Sequence, residues 1–472
     1  MITITLITAL TVAAASEEWS RFRGPNGSGL AETSNLPAEF GPAQNVVWKV
    51  DVPEGFSSPV ISGRRIFLTG FRNEALLTFA LDRATGKVLW EREAPRDRKE
   101  KLDPRNHPAA ASAVTDGKNV FVFFGDYGLL AYGVDGRELW RKPLGPFNNI
   151  YGMGASPILV DDKVILACDQ STGSFIAAFD KASGRERWRT PRPEARSGHS
   201  TPIVHRPPSG PTQILLPGSL LLNAYSADTG ERLWWVGGLS FELKSVPVVE
   251  GNTLYINGFG SGENEPGRRV AVPPSSEVFA TSDKNKDGKL VAEELPTKHA
   301  LDAMPFTDLD GDKAVSVEEW DYYKAAMDSE NGMLAIALGG AGDMTQKSVK
   351  WAYRRAVPQL PSPLIYGGVL YMVNDGGVVT TLKPETGELI KQGRLKGAID
   401  RYYASPVAGD GKIYMASEKG KVVVLKPGGD LEPAFVNDLQ DDIYATPALL
   451  EGHVYLRTRH SLYCFGSRKG TP

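Results

Sequence analysis

The sequence predicts an all-β fold, an eight-bladed β-propeller closed by its N-terminal strand, with a small α-helical insert in blade five. Three observations lead to this prediction. A phrase that ends on tryptophan recurs along the chain, a Ser-Pro or Thr-Pro step precedes most repeats, and a strand missing at the C-terminal end is found near the N-terminus. Repetition of one supersecondary unit indicates an array of blades rather than a sandwich.

The recurring phrase consists of an aliphatic run, a polar turn with glycine, and a second run that ends on tryptophan. It occupies residues 80–90, 131–140, 178–188 and 224–234, at a period of roughly 45 residues. Glycine adopts a positive φ in such a turn without a Cβ clash. We interpret each phrase as the outer strands of a blade, and each tryptophan as packing between neighbouring blades rather than as a catalytic group.

The start of each repeat is marked by a short polar step before a β-rich run. The marks are Ser58-Pro59, Ser156-Pro157, Thr201-Pro202, Ser362-Pro363, Ser405-Pro406 and Thr446-Pro447, with Ser112-Ala113 and Val246-Pro247 as variants. Eight marks predict eight blades. Blades six and seven keep their glycine turns, in residues 381–387 and 424–428, but lack the terminal tryptophan.

The last repeat, residues 446–465, supplies only three strands and lacks its tryptophan strand. Residues 45–51, which contain Trp48, have the missing pattern. We therefore expect this N-terminal strand to complete blade eight beside residues 462–465, because closure removes two exposed sheet edges. The propeller is predicted to span residues 45–466.

Composition limits the functional classes. Lys and Arg number 53 against 56 Asp and Glu, a net charge of −3, so no positive field argues for nucleic acid or an anionic membrane surface. Residues 1–15 are apolar and end in three alanines, as in a signal peptide. We expect a periplasmic or secreted protein, monomeric, with no membrane span in the mature chain. Cys168 and Cys464 are expected to be small buried residues that do not bridge.

About seventy residues interrupt blade five, and they contain two acidic loops. The first matches the calcium-loop pattern D-x-[DN]-x-[DN]-G-x5-E without a break. Oxygen ligands are predicted from Asp283, Asn285, Asp287, the Lys289 carbonyl and Glu294, with Gly288 at the sharp turn.

The second loop follows at helix-loop-helix spacing. Its predicted ligands are Asp308, Asp310, Asp312, the Ala314 carbonyl and Glu319. Lys313 stands where glycine is expected, so it must adopt a left-handed conformation at a steric cost. Leu290 and Val315 share the eighth loop position, where paired loops form a small two-stranded contact. Residues 261–330 thus resemble an EF-hand pair, and the resemblance implies bound calcium.

Strand counting predicts that the insert emerges on the same face as the connections between blades, a face that often carries the binding surface of a propeller. It would then overhang the mouth of the ring. The candidate binding residues on this face are Arg105, His107, Asn149, Tyr151, His199, Phe241, Lys244, Arg401, Tyr402, Tyr403, Asp441 and Tyr444. They form a polar and aromatic set suited to a small pocket or a peptide.

The phrase Ala-x-Asp-x-x-Thr-Gly-x-x-x-Trp resembles the quinoprotein-type propeller repeat, and residues 19–26 resemble the start of exported bacterial proteins with this repeat. The resemblance implies one of two classes. One contains dehydrogenases that hold pyrroloquinoline quinone and calcium at the axis and oxidise alcohols or sugars. The other contains cofactor-free scaffolds that bind protein segments.

The chain lacks the adjacent cysteine pair of the alcohol dehydrogenases and their long loops. A catalytic base would have to come from Asp126, Asp169, Asp400 or a loop histidine, and the spacing favours none of them. We therefore expect a calcium-binding, non-catalytic scaffold for a protein or polymer. The alternative is a quinoprotein-type oxidoreductase that uses pyrroloquinoline quinone and calcium.

Overall fold

A computed structural model describes residues 18–466 and contains eight blades of four antiparallel strands each. The first strands of most successive blades contact one another, which places them around the axis. The eight-bladed all-β fold predicted from the repeats is therefore confirmed.

Blades one to four are each built from four consecutive strands. From the axis outward, the strands are Val60–Ser62, Arg65–Arg72, Ala75–Asp82 and Val88–Ala94 in blade one; Val114–Thr115, Asn119–Phe124, Gly128–Gly133 and Glu138–Pro143 in blade two; Ile158–Val160, Lys163–Cys168, Phe175–Asp180 and Glu186–Pro191 in blade three; and Ile203–His205, Gln213–Pro217, Leu221–Ser226 and Arg232–Gly237 in blade four. A short strand, Gly342–Asp343, adds in parallel to the outer edge of blade four.

Blades five to eight follow the same plan, with the insert in blade five and chain closure in blade eight. Their strands are Val248–Glu250, Thr253–Gly258, Gly332–Ala337 and Val349–Tyr353; Leu364–Tyr366, Val369–Val373, Val378–Leu382 and Leu389–Arg394; Val407–Gly409, Lys412–Ala416, Lys421–Leu425 and Phe435–Asp438; and Ala448–Leu450, His453–Arg457, Ser461–Phe465 and Val46–Asp51. The last pairing is antiparallel and places Trp48 opposite Cys464. Closure by the N-terminal strand is confirmed.

Most of the repeat tryptophans pack against the turn glycine of the next blade. The Trp90 ring lies so close to Gly136 that a Cβ there would meet Trp90 Cγ at 2.6 Å, and Trp90 Nε1 donates to the Val134 carbonyl at 3.0 Å. The same contact joins Trp48 to Gly86, Trp140 to Gly184, Trp188 to Gly230 and Trp351 to Gly387. Packing between blades, predicted for the repeat tryptophans, is confirmed for these.

Two tryptophans depart from the sequence-based assignment. Trp234 Nε1 donates to Gln213 Oε1 within its own blade, and the Trp234 backbone pairs with Gly342 from the connection between the last two strands of blade five. Trp351 performs the packing role for blade five, although no regular phrase precedes it.

The polar steps that mark the repeats form a ring of hydrogen bonds around the axis. The Ser58 amide donates to Ser112 Oγ at 2.8 Å, and the Thr446 amide donates to Ser58 Oγ at 2.9 Å. Equivalent bonds link Ser112 to Ser156, Ser156 to Thr201, Val246 to Ser362, Ser362 to Ser405 and Ser405 to Thr446. Val246 offers no hydroxyl to blade four, so the side-chain link is missing there.

The segment from Glu18 to Ala31 packs along the axis, on the inner strands. Trp19 pairs with Ile61 of blade one, the short 3₁₀ helix Pro25–Gly27 contacts blade four, and Leu30–Ala31 runs parallel to Val407–Gly409 of blade seven. We call residues 18–31 the axial segment. The axial segment contacts inner strands of blades one, four and seven, so it lies in the centre of the ring.

The insert in blade five lies between Gly258 and Gly332 and is mainly helical. Its helices are α1 (Ser275–Ser282), α2 (Lys298–Thr307) and α3 (Val317–Asp328), with 3₁₀ turns at Gly262–Asn264 and Ala292–Glu294. Strands Lys289–Val291 and Ala314–Ser316 pair so that Leu290 lies opposite Val315, as the loop spacing predicts. A further short helix, α4 (Thr345–Ser348), precedes the last strand of blade five.

The cysteines and the helices bear on the expectations for disulfides and membrane spans. Cys168 and Cys464 are both buried and unpaired, as predicted. None of the helices in the described part of the chain has the length and apolar character that crossing a membrane requires. The predicted signal peptide, residues 1–15, lies outside the described residues.

Candidate functional site

A pocket of about 570 Å³ opens at the axis, on the face that carries the connections between blades. Phe22 of the axial segment lines it, together with Thr201, Ser362 and Ser405 of the hydroxyl ring. The connections between blades supply its walls. We call this cavity the axial pocket; the axial segment closes it from below.

One wall of the axial pocket is a stack of aromatic rings. The Phe56 and Tyr444 rings are 4.1 Å apart and inclined by 19°, and the Tyr444 and Tyr403 rings are 5.7 Å apart and inclined by 12°. Because these faces cover one another, the stack presents mainly ring edges, which carry partial positive charge.

The other walls carry charged side chains. Arg105 binds Asp103 in a bidentate pair, with Nε–Oδ1 at 2.7 Å and Nη2–Oδ2 at 2.9 Å. Hydrogen bonds from Arg105 lower the pKa of the Asp103 carboxyl. The Asp375 carboxylate accepts from the backbone amide of Gln359 at 3.1 Å, and burial raises the pKa of Asp375. Arg401 is exposed at the rim.

Two histidines lie on or near this face. His199 lines the axial pocket, and burial, reinforced by Lys244, lowers its pKa to about 3. His107 packs against Phe56 at 5.0 Å and does not line the pocket. Burial lowers its pKa to about 4. Both rings are therefore neutral at physiological pH.

The structure brings most of the predicted face residues together. Those that line the axial pocket are Arg105, Tyr151, His199, Lys244, Arg401, Tyr403 and Tyr444. Tyr402 was wrongly assigned to the face: it is fully buried, and its hydroxyl donates to the Ala398 carbonyl at 2.8 Å. Asn149 is buried as well, and its amide donates to the Asp169 carbonyl.

Sequence reasoning missed Phe22 and Phe56, which line the axial pocket. Phe56 directly precedes the Ser57-Ser58 step, so its position before the first repeat mark was the available signal. For Phe22, the available signal was the mixture of aromatic and cationic residues in Trp19-Ser-Arg-Phe-Arg23, which indicates an ordered segment.

A second cavity, of about 400 Å³, lies between the insert and the propeller. We call it the insert cleft. Helices α2 and α3 form one side, with Phe306 and Met327, and the connections between blades form the other, with Ile150 and Phe241. The cleft is therefore largely apolar.

Polar and cation–π contacts hold the insert on the propeller. Asn148 Nδ2 donates to the Leu309 carbonyl at 2.9 Å, and Arg196 Nη2 donates to Glu318 Oε1 at 2.8 Å. The Arg196 guanidinium also lies 5.7 Å from the centre of the Tyr322 ring. Leu309 and Glu318 each neighbour a predicted calcium ligand, so the second acidic loop lies directly beside this interface.

The first acidic loop is folded around its own carboxylates. Glu294 is buried and accepts from the Lys284 amide at 3.0 Å, while Asp283 Oδ2 accepts from the Gly288 amide at 3.0 Å. Asp283 Oδ1 is buried and has no hydrogen-bond partner within residues 18–466. A buried carboxylate oxygen without a partner is costly unless something binds it.

The second acidic loop gathers three aspartates. Oxygens of Asp308, Asp310 and Asp312 all lie within 4.8 Å of one another. Glu319 is buried and accepts from the Leu309 amide at 2.8 Å. Lys313 has φ +70°, the left-handed conformation expected from its place in the loop.

Several solved structures share this fold over most of the chain. BamB from Moraxella catarrhalis aligns with a TM-score of 0.56 at 12% identity, over 89% of this chain and 99% of its own. A europium-containing methanol dehydrogenase aligns at 0.61 and 9% identity, over 96% and 98%. The quinohemoprotein alcohol dehydrogenase ADHIIG from Pseudomonas putida HK5 aligns at 0.57 and 13%, over 97% and 81%.

These identities are too low to carry more than the fold. No curated protein matches the chain. The family model with the description "Outer membrane protein assembly factor BamB" matches residues 42–204 and 172–471. Because the two matches together cover most of the sequence, the chain belongs to this family of propellers with quinoprotein-type repeats.

Proposed function

We propose that this protein is an exported, calcium-binding propeller that acts as a non-catalytic scaffold and binds a protein or polymer on its insert-bearing face. The observation that carries the proposal is the axial pocket, an open cavity walled by stacked aromatic rings and cationic side chains. Such a surface is suited to binding.

Calcium is proposed for the two acidic loops of the insert. The ligands would be Asp283, Asn285, Asp287, Lys289 and Glu294 in the first loop and Asp308, Asp310, Asp312, Ala314 and Glu319 in the second, with Lys289 and Ala314 acting through their carbonyls. The unpartnered Asp283 Oδ1 and the clustered aspartates of the second loop fit a hard cation. Calcium would supply order to the insert rather than chemistry.

The domain organisation proposed with this function has a signal peptide at 1–15, a propeller at 45–466 and an EF-hand pair at 261–330. Export to the periplasm or beyond agrees with the description of the family, an outer membrane assembly factor. The same description favours a protein partner over a small substrate.

The oxidoreductase alternative requires a quinone and a calcium ion at the axis, and the residues there do not fit them. Both oxygens of Asp103 are engaged by Arg105, and Asp375 is held by the Gln359 amide. These two are the carboxylates that line the axial pocket. A calcium ion prefers about six to eight oxygen ligands. The two engaged carboxylates do not supply them.

Of the candidate catalytic bases, the loop histidine His199 lines the axial pocket, whereas the three carboxylates are engaged elsewhere. Asp126 pairs with Arg96 at 2.7 Å, and Asp169 pairs with Arg192 at 2.7 Å. Asp400 accepts from Ser417 Oγ at 3.0 Å. A base must reach the proton that it abstracts, and none of the three lines the axial pocket.

The test is a titration of the mature protein with pyrroloquinoline quinone in excess calcium, followed by tryptophan fluorescence and by dye-coupled oxidation of alcohols and aldoses. We expect no saturable quenching and no turnover. Saturable binding with turnover would replace the scaffold with the oxidoreductase. A parallel calorimetric titration with calcium should give two sites, and a chain that binds no calcium would contradict the proposed role of the insert.

A further inference from the structure

The axial pocket and the insert cleft adjoin at Tyr151, whose side chain lines both cavities. On the axial side, Lys244 Nζ lies 5.2 Å from the centre of the Tyr151 ring. On the other side, Glu242 lines the insert cleft and pairs with Lys244. The two cavities are therefore neighbouring parts of one surface, which we call the face groove.

The axial end of the face groove is cationic. Arg21 and Arg23, on either side of Phe22, are buried and donate to the carbonyls of Pro202 and Pro363. Within residues 18–466, neither arginine has a carboxylate partner. Burial lowers their pKa values to about 9, so both remain charged at neutral pH.

These two guanidiniums add to the charges on the pocket walls. Arg105, Lys244 and Arg401 line the axial pocket, and Arg21 and Arg23 flank the lining residue Phe22 in the chain. The neighbouring carboxylates are Asp103, Glu242, Asp375 and Glu418, the last of which accepts from the Tyr444 hydroxyl. Ion pairs with Asp103 and Glu242 balance Arg105 and Lys244, whereas the buried guanidiniums of Arg21 and Arg23 have no carboxylate partner within residues 18–466. A charge in a partly desolvated pocket acts more strongly than on an open surface, so an anionic group is favoured here.

The insert-cleft end has the opposite character. Its walls are mainly apolar, and Glu263, Asp302 and Asp308 place carboxylates on them. Phe306 is 54% exposed on α2 and lines the cleft. An apolar side chain would gain burial there.

Two polar atoms in the face groove lack a partner in the described part of the chain. Ser197 Oγ and His199 Nε2 are buried without hydrogen bonds, and these residues lie two positions apart on one connection between blades. Ser197 lines the insert cleft and His199 lines the axial pocket. One connection between blades therefore borders both ends of the face groove, as an extended segment that crosses the groove would require.

We propose that the face groove binds an extended peptide segment of a partner protein, with a carboxylate in the axial pocket and an apolar side chain in the insert cleft. The proposal rests on the scaffold function proposed above and specifies the partner. A carbohydrate offers no aliphatic side chain for the cleft. A small planar anion placed in the axial pocket would leave the cleft unfilled.

The test begins with displayed random dodecapeptides selected on the full chain in saturating calcium. We expect the selected peptides to share one Asp or Glu and one large apolar residue at a fixed spacing. A synthetic copy of the selected peptide, labelled for fluorescence anisotropy, then serves as the probe for the variants.

Two surface variants separate the ends of the face groove. Arg401→Gln and Phe306→Ser should each weaken binding of the probe about tenfold, because each removes one of the two anchors. The matched controls are Lys396→Gln, a nearby exposed cation, and Leu301→Ser, an exposed residue on α2 that does not line the cleft. Both controls should bind the probe as the parent chain does.

The outcomes distinguish this proposal from the scaffold function. Selected peptides without an acidic residue, the absence of any selected motif, or equal effects of variants and controls would overturn the peptide proposal. Binding of acidic oligosaccharides in the absence of peptide binding would also overturn it, yet would leave the scaffold function intact. Dye reduction with pyrroloquinoline quinone and an alcohol would overturn the scaffold function itself.

Discussion

Chelation of calcium should loosen the insert and leave the propeller unchanged. Both acidic loops are folded around buried position-twelve glutamates, and strands Lys289–Val291 and Ala314–Ser316 join the loops into one unit. A ligand present at a hundred times its dissociation constant stabilises the bound state by about 2.7 kcal/mol. Removing the ion should therefore speed hydrogen exchange in the paired strands by about a hundredfold, if exchange follows opening of the insert.

The measurement is hydrogen exchange followed by mass spectrometry, with and without chelator. Peptides that cover residues 275–325 should exchange faster after chelation, whereas strand Gly332–Ala337, which follows the insert in blade five, should not change. Glu294→Gln should reproduce the chelated behaviour in the first loop even with calcium present, because it removes a negatively charged ligand oxygen.

The matched control for this variant is Glu293→Gln, which removes the same charge from an exposed neighbouring residue. It should exchange as the parent chain does. Equal acceleration in the insert and in the propeller would refute the view that the insert is a separate calcium-ordered unit. No acceleration anywhere would refute calcium binding by these loops.

Three further predictions concern stability and ion affinity. Trp90→Ala should lower the free energy of unfolding by about 3 to 5 kcal/mol in a denaturant titration, because it opens a cavity between blades one and two. Val88→Ala, at a side chain that is 44% exposed on the same strand, should change it by no more than about 0.5 kcal/mol; similar losses for both would contradict the packing role. His199, with its pKa lowered to about 3, binds its proton less readily than in the unfolded chain. The free energy of unfolding should therefore fall as the pH decreases through the pKa of a histidine in the unfolded chain, by about 1.4 kcal/mol between about pH 7.5 and about pH 5.5. His199→Gln should remove that part of the pH dependence. Lys313→Gly should relieve about 1 kcal/mol of left-handed strain and tighten calcium binding at the second loop about fivefold by calorimetry, whereas weaker binding would show that the lysine conformation carries no cost.

The architecture was readable from the sequence because its signals are local and repeat. A glycine turn followed by a tryptophan specifies two strands and a packing contact within about a dozen residues. The pattern of residues 45–51 matched the strand that blade eight lacked, so closure could be predicted although its partners are more than 400 residues apart. The two acidic loops of the insert were located from the fixed spacing of their acidic residues in the same way.

The binding face was only partly predictable. Connections between blades could be assigned to one face by counting strands, and most of the residues chosen there line the axial pocket. Tyr402 and Tyr403 show the limit of this prediction. Tyr402 is buried in the core, whereas Tyr403 lines the axial pocket. Without a regular strand, the sequence does not specify which of two neighbouring side chains points inward.

The sequence by itself determined the number of blades, the closure of the ring, most of the packing tryptophans and the position of the acidic loops. Only the tertiary structure decided what occupies the axis and how the cavities join. Arg23 meets the Pro363 carbonyl across 340 residues, and Tyr151 separates the axial pocket from an insert more than a hundred residues later in the chain. Such contacts depend on the relative positions of whole blades, and no local pattern of residues encodes them.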